Sequence, residues 1–390
     1  MEFVTAGESH GPCLTAIVSG VPAGLSISEE QINADLARRQ SGYGRGGRQG
    51  IEKDKVKITS GVRFGTTLGS PIALEVANDD WRNWSERMAL FDAPPKNLVR
   101  EVTPRPGHAD LVGALKNATD DCRNVLERSS ARETAARVAA AGVAREFLAA
   151  LGVEVFSYVT RIGTAVLEED DPMRAAPDYK PLDIELSEVR CPDPQASERM
   201  VNMIKVARAK GESLGGEFRV VACGLVCGLG GFESGSERLT SQLGAALFSI
   251  PAIKGVEFGL GFASASRNGS EVHDPITQTK RGGFSRSSNN AGGLEGGMTT
   301  GLPLVVTAAM KPIPTMQTPL PTVNMDTMEV ASASRERSDV CAVPAAAVVA
   351  EAEVAFVLAN AYLRKFGSDN MTDIQVALAS YKKRVATQSK

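Results

Sequence analysis

The stretch VPAAAVVAEAEVAFVLANAYL (343–363) constrains this chain more than any other part of it. A helix that is apolar all round must lie in a large core or in a membrane. A membrane-spanning helix needs about 20 consecutive residues with few or no charges. Glu351 and Glu353 interrupt this run, and much of it is alanine. It is therefore predicted to be a buried helix, the last long helix of the chain, over 343–366. A chain of 390 residues is ample for a core around it, as one large domain or two ordinary ones.

Composition narrows the class. Charged residues make up 23% and hydrophobic ones 43%, as in an ordinary soluble globular protein. The net charge of −3 argues against a general nucleic-acid binder, whose footprint would be basic. It leaves an anionic small substrate open, because local arginine clusters decide that. No apolar leader is visible at the N-terminus, and neither a membrane nor a nucleic-acid partner is expected. The six cysteines form no C-x-x-C, and with three histidines there is no zinc-ligand spacing. They read as buried reduced thiols of a cytoplasmic protein.

Helix and strand signals interleave. Ser28 with Gln31 forms a capping-box pattern, and Ile32 and Leu36 give the apolar stripe of a helix over 29–39. A Gly-rich basic loop, SGYGRGGRQGIEKD, follows it. Residues 55–79 alternate and read as two or three strands, and 79–110 as a long irregular segment. SSARETAARVAAAGVAREFLAALG is the clearest helix, with Ser130 and Glu133 as its capping box and Gly152 as its stop. A strand over EVFSYVTRIGTA and an acidic stretch over 168–194 follow. An amphipathic helix is predicted over 194–210, with Met200, Ile204 and Val206 on its apolar side. Residues 215–231 read as one long strand or a strand pair, LTSQLGAALFSI as a helix, AIKGVEFGLGFASA and PLVVTAAMK as strands, and 269–301 as loop. Consecutive strands look like antiparallel neighbours, so the fold class is α+β and not doubly wound. No linker divides residues 1–390, and the long functional loops fall at about 40–52, 79–110, 269–301 and 312–340.

Residues 7–11, GESHG, match the G-x-S-x-G nucleophile elbow as a string. The elbow needs a strand before the serine and a helix after it. Here one short strand precedes, expected at a sheet edge, and a second strand follows. A glycine-flanked turn with His10 exposed on it is the simpler reading. Gly42, Gly44 and Gly47 match the dinucleotide fingerprint, but they follow a helix and precede an extended run, the reverse of what that site requires. What remains is Arg38, Arg39, Arg45 and Arg48 on a glycine backbone, either a solvated loop or a fork for phosphate and carboxylates. Arg128, Ser129 and Ser130 are placed at a helix N-terminus, where free N–H groups favour anions. His10 and His108 lie in glycine-adjacent loops and are acid–base candidates, whereas His273 reads as surface. Lys311 in KPIPT ends a strand, and the five glycines of NNAGGLEGGMTTG permit close backbone approach to a flat ligand. In ERSD, Arg337 and Asp339 form either a surface pair or part of a site.

GESHG, RRQSGYGRGGR, RPGHAD, ERSSARETAARVAAAG, AIKGVEFGLGF, NNAGGLEGGM, MKPIPT and ERSD, in this order, resemble the chorismate synthase family. The resemblance implies a β-α-β sandwich, with helices packed between antiparallel sheets, assembled as a homotetramer. It implies a lyase that converts 5-enolpyruvylshikimate 3-phosphate to chorismate and phosphate by anti-1,4-elimination. Reduced FMN would be required without net redox change, and NADPH would enter as an indirect reductant. An external flavin reductase would serve a monofunctional member. His10 would be the acid beside the leaving phosphate and Ser9 its hydrogen-bonding neighbour. His108 would steady the reduced flavin, and Asp339 would relay the C6 proton by way of flavin N5. Arg39 and Arg45 match positions for NADPH or substrate, and Arg48 and Arg337 match substrate-facing arginines. Flavin positions would be Arg128, Ser129, Ser130, Pro251, Ala252, Gly296, Lys311, Pro312, Ile313, Pro314, Thr315 and Arg337. Many members carry Asn where this chain has Pro251, which offers no donor. Two other classes stay in view: a serine hydrolase built on Ser9, and a flavin-binding module or carrier without catalysis of its own.

Overall fold

The structure is a computed structural model and describes residues 1–47, 52–168, 179, 181–278, 283–336 and 338–387. Two antiparallel sheets organise them. The first runs in the order Glu2–Ala6, Cys13–Ser19, Ile72–Ala77, Val56–Ile58. The second runs in the order Ile253–Phe258, Leu304–Met310, Gly216–Cys223, Glu154–Ile162, Ala165–Val166. Helix Thr134–Ala150 packs on the first sheet and helix Val343–Phe366 on the second, and the two helices pack on each other. Helix Glu29–Gln40 lies against both. The α+β class with antiparallel neighbours is observed.

The opening constraint holds. Val343–Phe366 is long and apolar enough to cross a membrane, yet 89% of its most apolar stretch is buried within the fold. Its two carboxylates survive there because guanidinium groups meet them. Glu351, 1% exposed, accepts from Arg38, from Arg145 at 2.9 Å, from Arg190 at 3.0 Å and from the Ser157 hydroxyl at 2.6 Å. Burial alone would raise its pKa; Arg38, Arg145 and Arg190 outweigh that and hold it at about 2. Glu353 has Arg137 at 3.0 Å, and burial, the larger effect, pushes its pKa up.

Several local expectations need correction. No capping box forms at Ser130. The segment divides into helix Arg123–Ser129, a 3-10 turn Ala131–Glu133 and helix Thr134–Ala150. Ser130 caps only the turn, through the Arg132 amide, while Glu133 binds Thr5 and Arg137. Arg128 and Ser129 thus end one helix and do not begin the next. On helix Pro194–Ala209, Met200 and Ile204 are buried but Val206 is 49% exposed; Val201 and Ala207 fill that face. Residues 55–79 hold four short strands, and 269–301 contains two small hairpins. Residues 216–223 form one strand; of the acidic stretch, 169–178 and 180 lie outside the described residues, and Pro181–Glu185 forms a short helix. Helices Asp110–Asn117 and Met371–Thr387 were not foreseen.

Candidate active site

Strands Glu2–Ala6 and Cys13–Ser19 are hairpin partners, with the first at the sheet edge. GESHG is therefore a strand–turn–strand, and the nucleophile-elbow geometry is absent. The turn is not exposed as expected. Ser9 and His10 are 2% and 7% exposed. The turn is pressed against helix Arg123–Ser129 by a bond from the Ser9 amide to the Glu127 carbonyl at 3.1 Å, and Asn78 donates to the Gly11 carbonyl at 2.7 Å. The Glu127 carboxylate accepts from the His10 amide at 2.7 Å and lies 2.8 Å from His10 Nδ1. Trp84 stacks on the imidazole, with ring centroids 4.0 Å apart.

His10 lines a cavity of about 570 Å³ where loops from both sheets converge. Several cationic side chains line it. Arg39, at the end of helix Glu29–Gln40, is 5% exposed and donates to Asp54 at 3.2 Å and to Thr134 at 3.0 Å. Burial, helped by nearby Arg132 and Arg45, pulls its pKa down to about 10 despite Asp54. Arg132 takes the other oxygen of Asp54 and donates to Asn78 at 2.8 Å. The basic loop is zipped to the ERSD segment. The Gly44 carbonyl accepts from the Val340 amide at 2.7 Å, the Gly46 amide donates to Asp339 at 2.6 Å, and Arg45 pairs with Asp339 at 2.9 Å. Gly46 has to be glycine, because a Cβ there would sit 2.6 Å from the Ser338 carbonyl oxygen. Asp339 is thus an element of the cavity and not half of a surface pair.

A second histidine stands on the rim. His108 Nδ1 lies 2.5 Å from Asp110, which also takes the Arg105 guanidinium at 2.8 Å. Burial would raise Asp110; His108 and Arg105 more than offset it and hold the carboxyl well below the usual range. Arg105 also donates to Thr315 at 3.0 Å, and Lys311 donates to the Gly107 carbonyl at 2.5 Å, so RPGHAD and KPIPT are locked together. Burial and Lys254 both lower the Lys311 pKa. Apolar side chains line the cavity as well: Ile250, Pro251, Ile253, Met310, Ala345 and Val349. Ala252 beside them holds φ 69, a left-handed value unusual for alanine.

Of the residues singled out from the sequence, His10, His108, Asp339, Arg39, Arg45, Ser129, Ser130, Pro251, Ala252, Lys311, Ile313, Pro314 and Thr315 line this cavity. Arg48 and Arg337 lie outside the described residues. Arg128, Gly296 and Pro312 do not line it. Arg128 instead donates to the Thr5 carbonyl at 2.9 Å, tying its helix to the first strand. Gly296 is the exposed tip of a small hairpin, and Pro312 faces outward from KPIPT. The close approach foreseen for the glycine loop is made with its own chain, since a Cβ on Gly292 would lie 2.3 Å from the Gly259 nitrogen. His273 is exposed, as expected. Trp84, Asp54, Glu127 and Arg132 went unnoticed. Glu127 and Arg132 sit inside the quoted ERSSARET motif, but nothing in their spacing separates a buried partner from a solvated charge.

A cationic, half-apolar cavity between loops of an antiparallel α+β fold marks an enzyme for a small anionic substrate. Comparison with known proteins specifies which. The chorismate synthase family model matches residues 1–363. The chain is 52% identical over 387 residues to the chorismate synthase of Bacillus subtilis (strain 168), covering 98% of this chain and 99% of that one. It is 54% identical over 385 residues to that of Rubrobacter xylanophilus (strain DSM 9941 / JCM 11954 / NBRC 16129 / PRD-1), covering 98% and 97%. A solved structure described as the crystal structure of chorismate synthase matches with a TM-score of 0.81 at 42% identity, over 99% of this chain and 98% of that one. The chain belongs to the chorismate synthase family. It is an enzyme of that family, and the family implies the lyase step of the shikimate pathway toward aromatic amino acids.

Proposed function

We propose that this cavity converts 5-enolpyruvylshikimate 3-phosphate to chorismate and phosphate by anti-1,4-elimination, and that it requires reduced FMN. The observation that carries the reading is the cavity's mixed lining, in which cationic and apolar side chains stand together. A flavin with its phosphate needs a flat apolar wall and cationic donors; a substrate with one phosphate and two carboxylates needs more cations still. Ile250, Pro251, Ile253, Met310, Ala345 and Val349 suit the first need. The second is met by Arg39, Arg45, Arg132, Lys254 and Lys311. Arg45 Nε is buried without a hydrogen-bond partner among the described residues, a donor with room for an acceptor. The residues present therefore fit the flavin and the substrate. Ser129, Ser130, Ala252, Ile313, Pro314 and Thr315 would hold the flavin, with Pro251 contributing apolar contact only.

The chemistry that reduced FMN supplies when bound is reversible electron donation, which lets an unactivated substrate lose its allylic phosphate. The protein's own part is placement and proton handling. His10 delivers a proton to the departing phosphate, and Arg45 binds the substrate's anionic groups. Arg39 already holds Asp54 and Thr134, so it acts mainly through its field and by fixing the loop that follows. His108, braced by Asp110, steadies the anionic side of the flavin site. Asp339, held by Arg45 and Gly46, receives the C6 proton at the end of its path.

The resemblance further supports a cytoplasmic homotetramer of β-α-β sandwich subunits acting as one domain, with NADPH as an indirect reductant and an external flavin reductase where the enzyme is monofunctional. The test is anaerobic: protein, FMN, dithionite and substrate, with diene absorbance and phosphate release followed together. Matched appearance of both, absent with oxidised FMN, is expected. Flavin binding without either product would turn the reading to a flavin carrier. Turnover without flavin, with fluorophosphonate labelling of Ser9, would turn it to a hydrolase.

A further inference from the structure

The grip on His10 is more specific than a buried histidine needs. One carboxylate, Glu127, takes both the backbone N–H and the ring Nδ1 of the same residue, at 2.7 and 2.8 Å. Glu127 is 2% exposed, and Arg123 at 3.1 Å keeps it anionic alongside His10; burial pulls the other way and is outweighed. Arg123 is itself fixed by Glu336 at 2.8 Å, and its guanidinium lies 5.1 Å from the Trp84 ring. Trp84 in turn sets the imidazole plane, stacked at 4.0 Å with 26° between the rings. Position and tilt of one ring are both specified.

We infer that Glu127 is the positioning residue of His10. An ionised carboxylate only accepts hydrogen bonds, so it selects the tautomer with the proton on Nδ1 and leaves Nε2 as the nitrogen that exchanges a proton with the cavity. When His10 carries both protons, Glu127 neutralises the charge; after delivery from Nε2, the Nδ1–H form remains in place. Trp84 and Arg123 are the frame that keeps this pair from rotating. Glu127 does not touch the substrate and acts only through His10. The inference rests on the acid role given to His10 above.

The experiment uses the full chain labelled with ¹⁵N in histidine. His10, His108 and His273 give three imidazoles, assigned by single substitutions. At a pH where the ring carries one proton, native His10 is expected in the Nδ1–H form. Glu127→Ala is expected to shift it toward Nε2–H, leave the other two rings unchanged, and lower kcat by roughly 10²–10⁴-fold, as when an orienting carboxylate is lost elsewhere. KM should change little, and Glu127→Gln, which keeps one acceptor, should fall between. A native Nε2–H tautomer overturns the inference, and this needs no variant to fold. So does near-native kcat in Glu127→Ala when His10→Ala is inactive. Normal turnover of His10→Ala removes His10 from the reaction, and the catalytic half of the inference with it, whatever the tautomer.

Discussion

Arg38 and Arg39 are neighbours on one helix, yet they enter two clusters of opposite character. Arg38 joins Arg145 and Arg190 against Glu351, Asp35 and Glu185, three guanidinium groups against three carboxylates. That cluster balances in charge, although Arg190 Nε is buried without a hydrogen-bond partner among the described residues. Arg38 is pushed above its ordinary pKa, because Glu351, Glu185 and Asp35 outweigh the larger opposing effect of burial. Arg39 faces the cavity, where it shares Asp54 with Arg132, and neither Lys254 nor Lys311 has an ion pair among the described residues. Arg132 also meets Glu52 at 3.7 Å, yet Arg39, Arg45, Arg105, Arg132, Lys254 and Lys311 line the cavity against only Glu52, Glu336 and Asp339 among the described residues. A balanced buried cluster is costly to break by removing one partner, whereas an unbalanced one in a cleft points to a ligand site.

The largest effect should come from breaking the balanced cluster. Glu351→Ala strands three guanidinium groups and is expected to cost about 3–5 kcal/mol in urea unfolding. A loss below about 1 kcal/mol would show that the cluster is not a unit. Acid should do the same reversibly. The folded pKa of Glu351, about 2, lies below its ordinary 4.5, so its contribution is complete above pH 4.5 and is lost as pH falls through about 2. The amount is on the order of 3 kcal/mol, and Glu351→Gln should lack that part of the acid limb. Equal acid sensitivity of native protein and variant would contradict it.

The unbalanced cluster should respond differently. Arg45→Ala is expected to raise substrate KM by about 10–100-fold, the worth of one charged hydrogen bond, with little change in stability. Equal loss of stability would erase the distinction between the clusters. Ser157→Ala should give the smallest effect, about 1 kcal/mol of stability with no change in KM, because its hydroxyl serves Glu351 alone among the acidic groups.

The contrast also explains what could be read from the sequence. Val343–Phe366 was legible because its composition admits one environment, and GESHG was legible as a turn because strand signals flank it on both sides. The cavity's main residues could be named because long motifs carry them. Their partners could not. Asp54, Glu127 and Arg132 are ordinary charges in sequence, and only tertiary contact turns them inward. The same limit misplaced the helix start at Ser130: a serine followed three residues later by glutamate fits a capping box, but Glu133 had stronger partners in Thr5 and Arg137. Val206 was put on the buried face by a period that the neighbouring strands did not honour.

The central claim is that the unbalanced cluster is where phosphate leaves the substrate. It is tested most directly by a single anaerobic turnover with reduced FMN, run side by side on native protein, Arg45→Ala and Ser157→Ala, with phosphate and diene followed in each. The account expects one phosphate per diene in the native protein, the same in Ser157→Ala, and a large loss of both signals in Arg45→Ala at subsaturating substrate. Undiminished turnover in Arg45→Ala, or phosphate released without diene in the native protein, would contradict it.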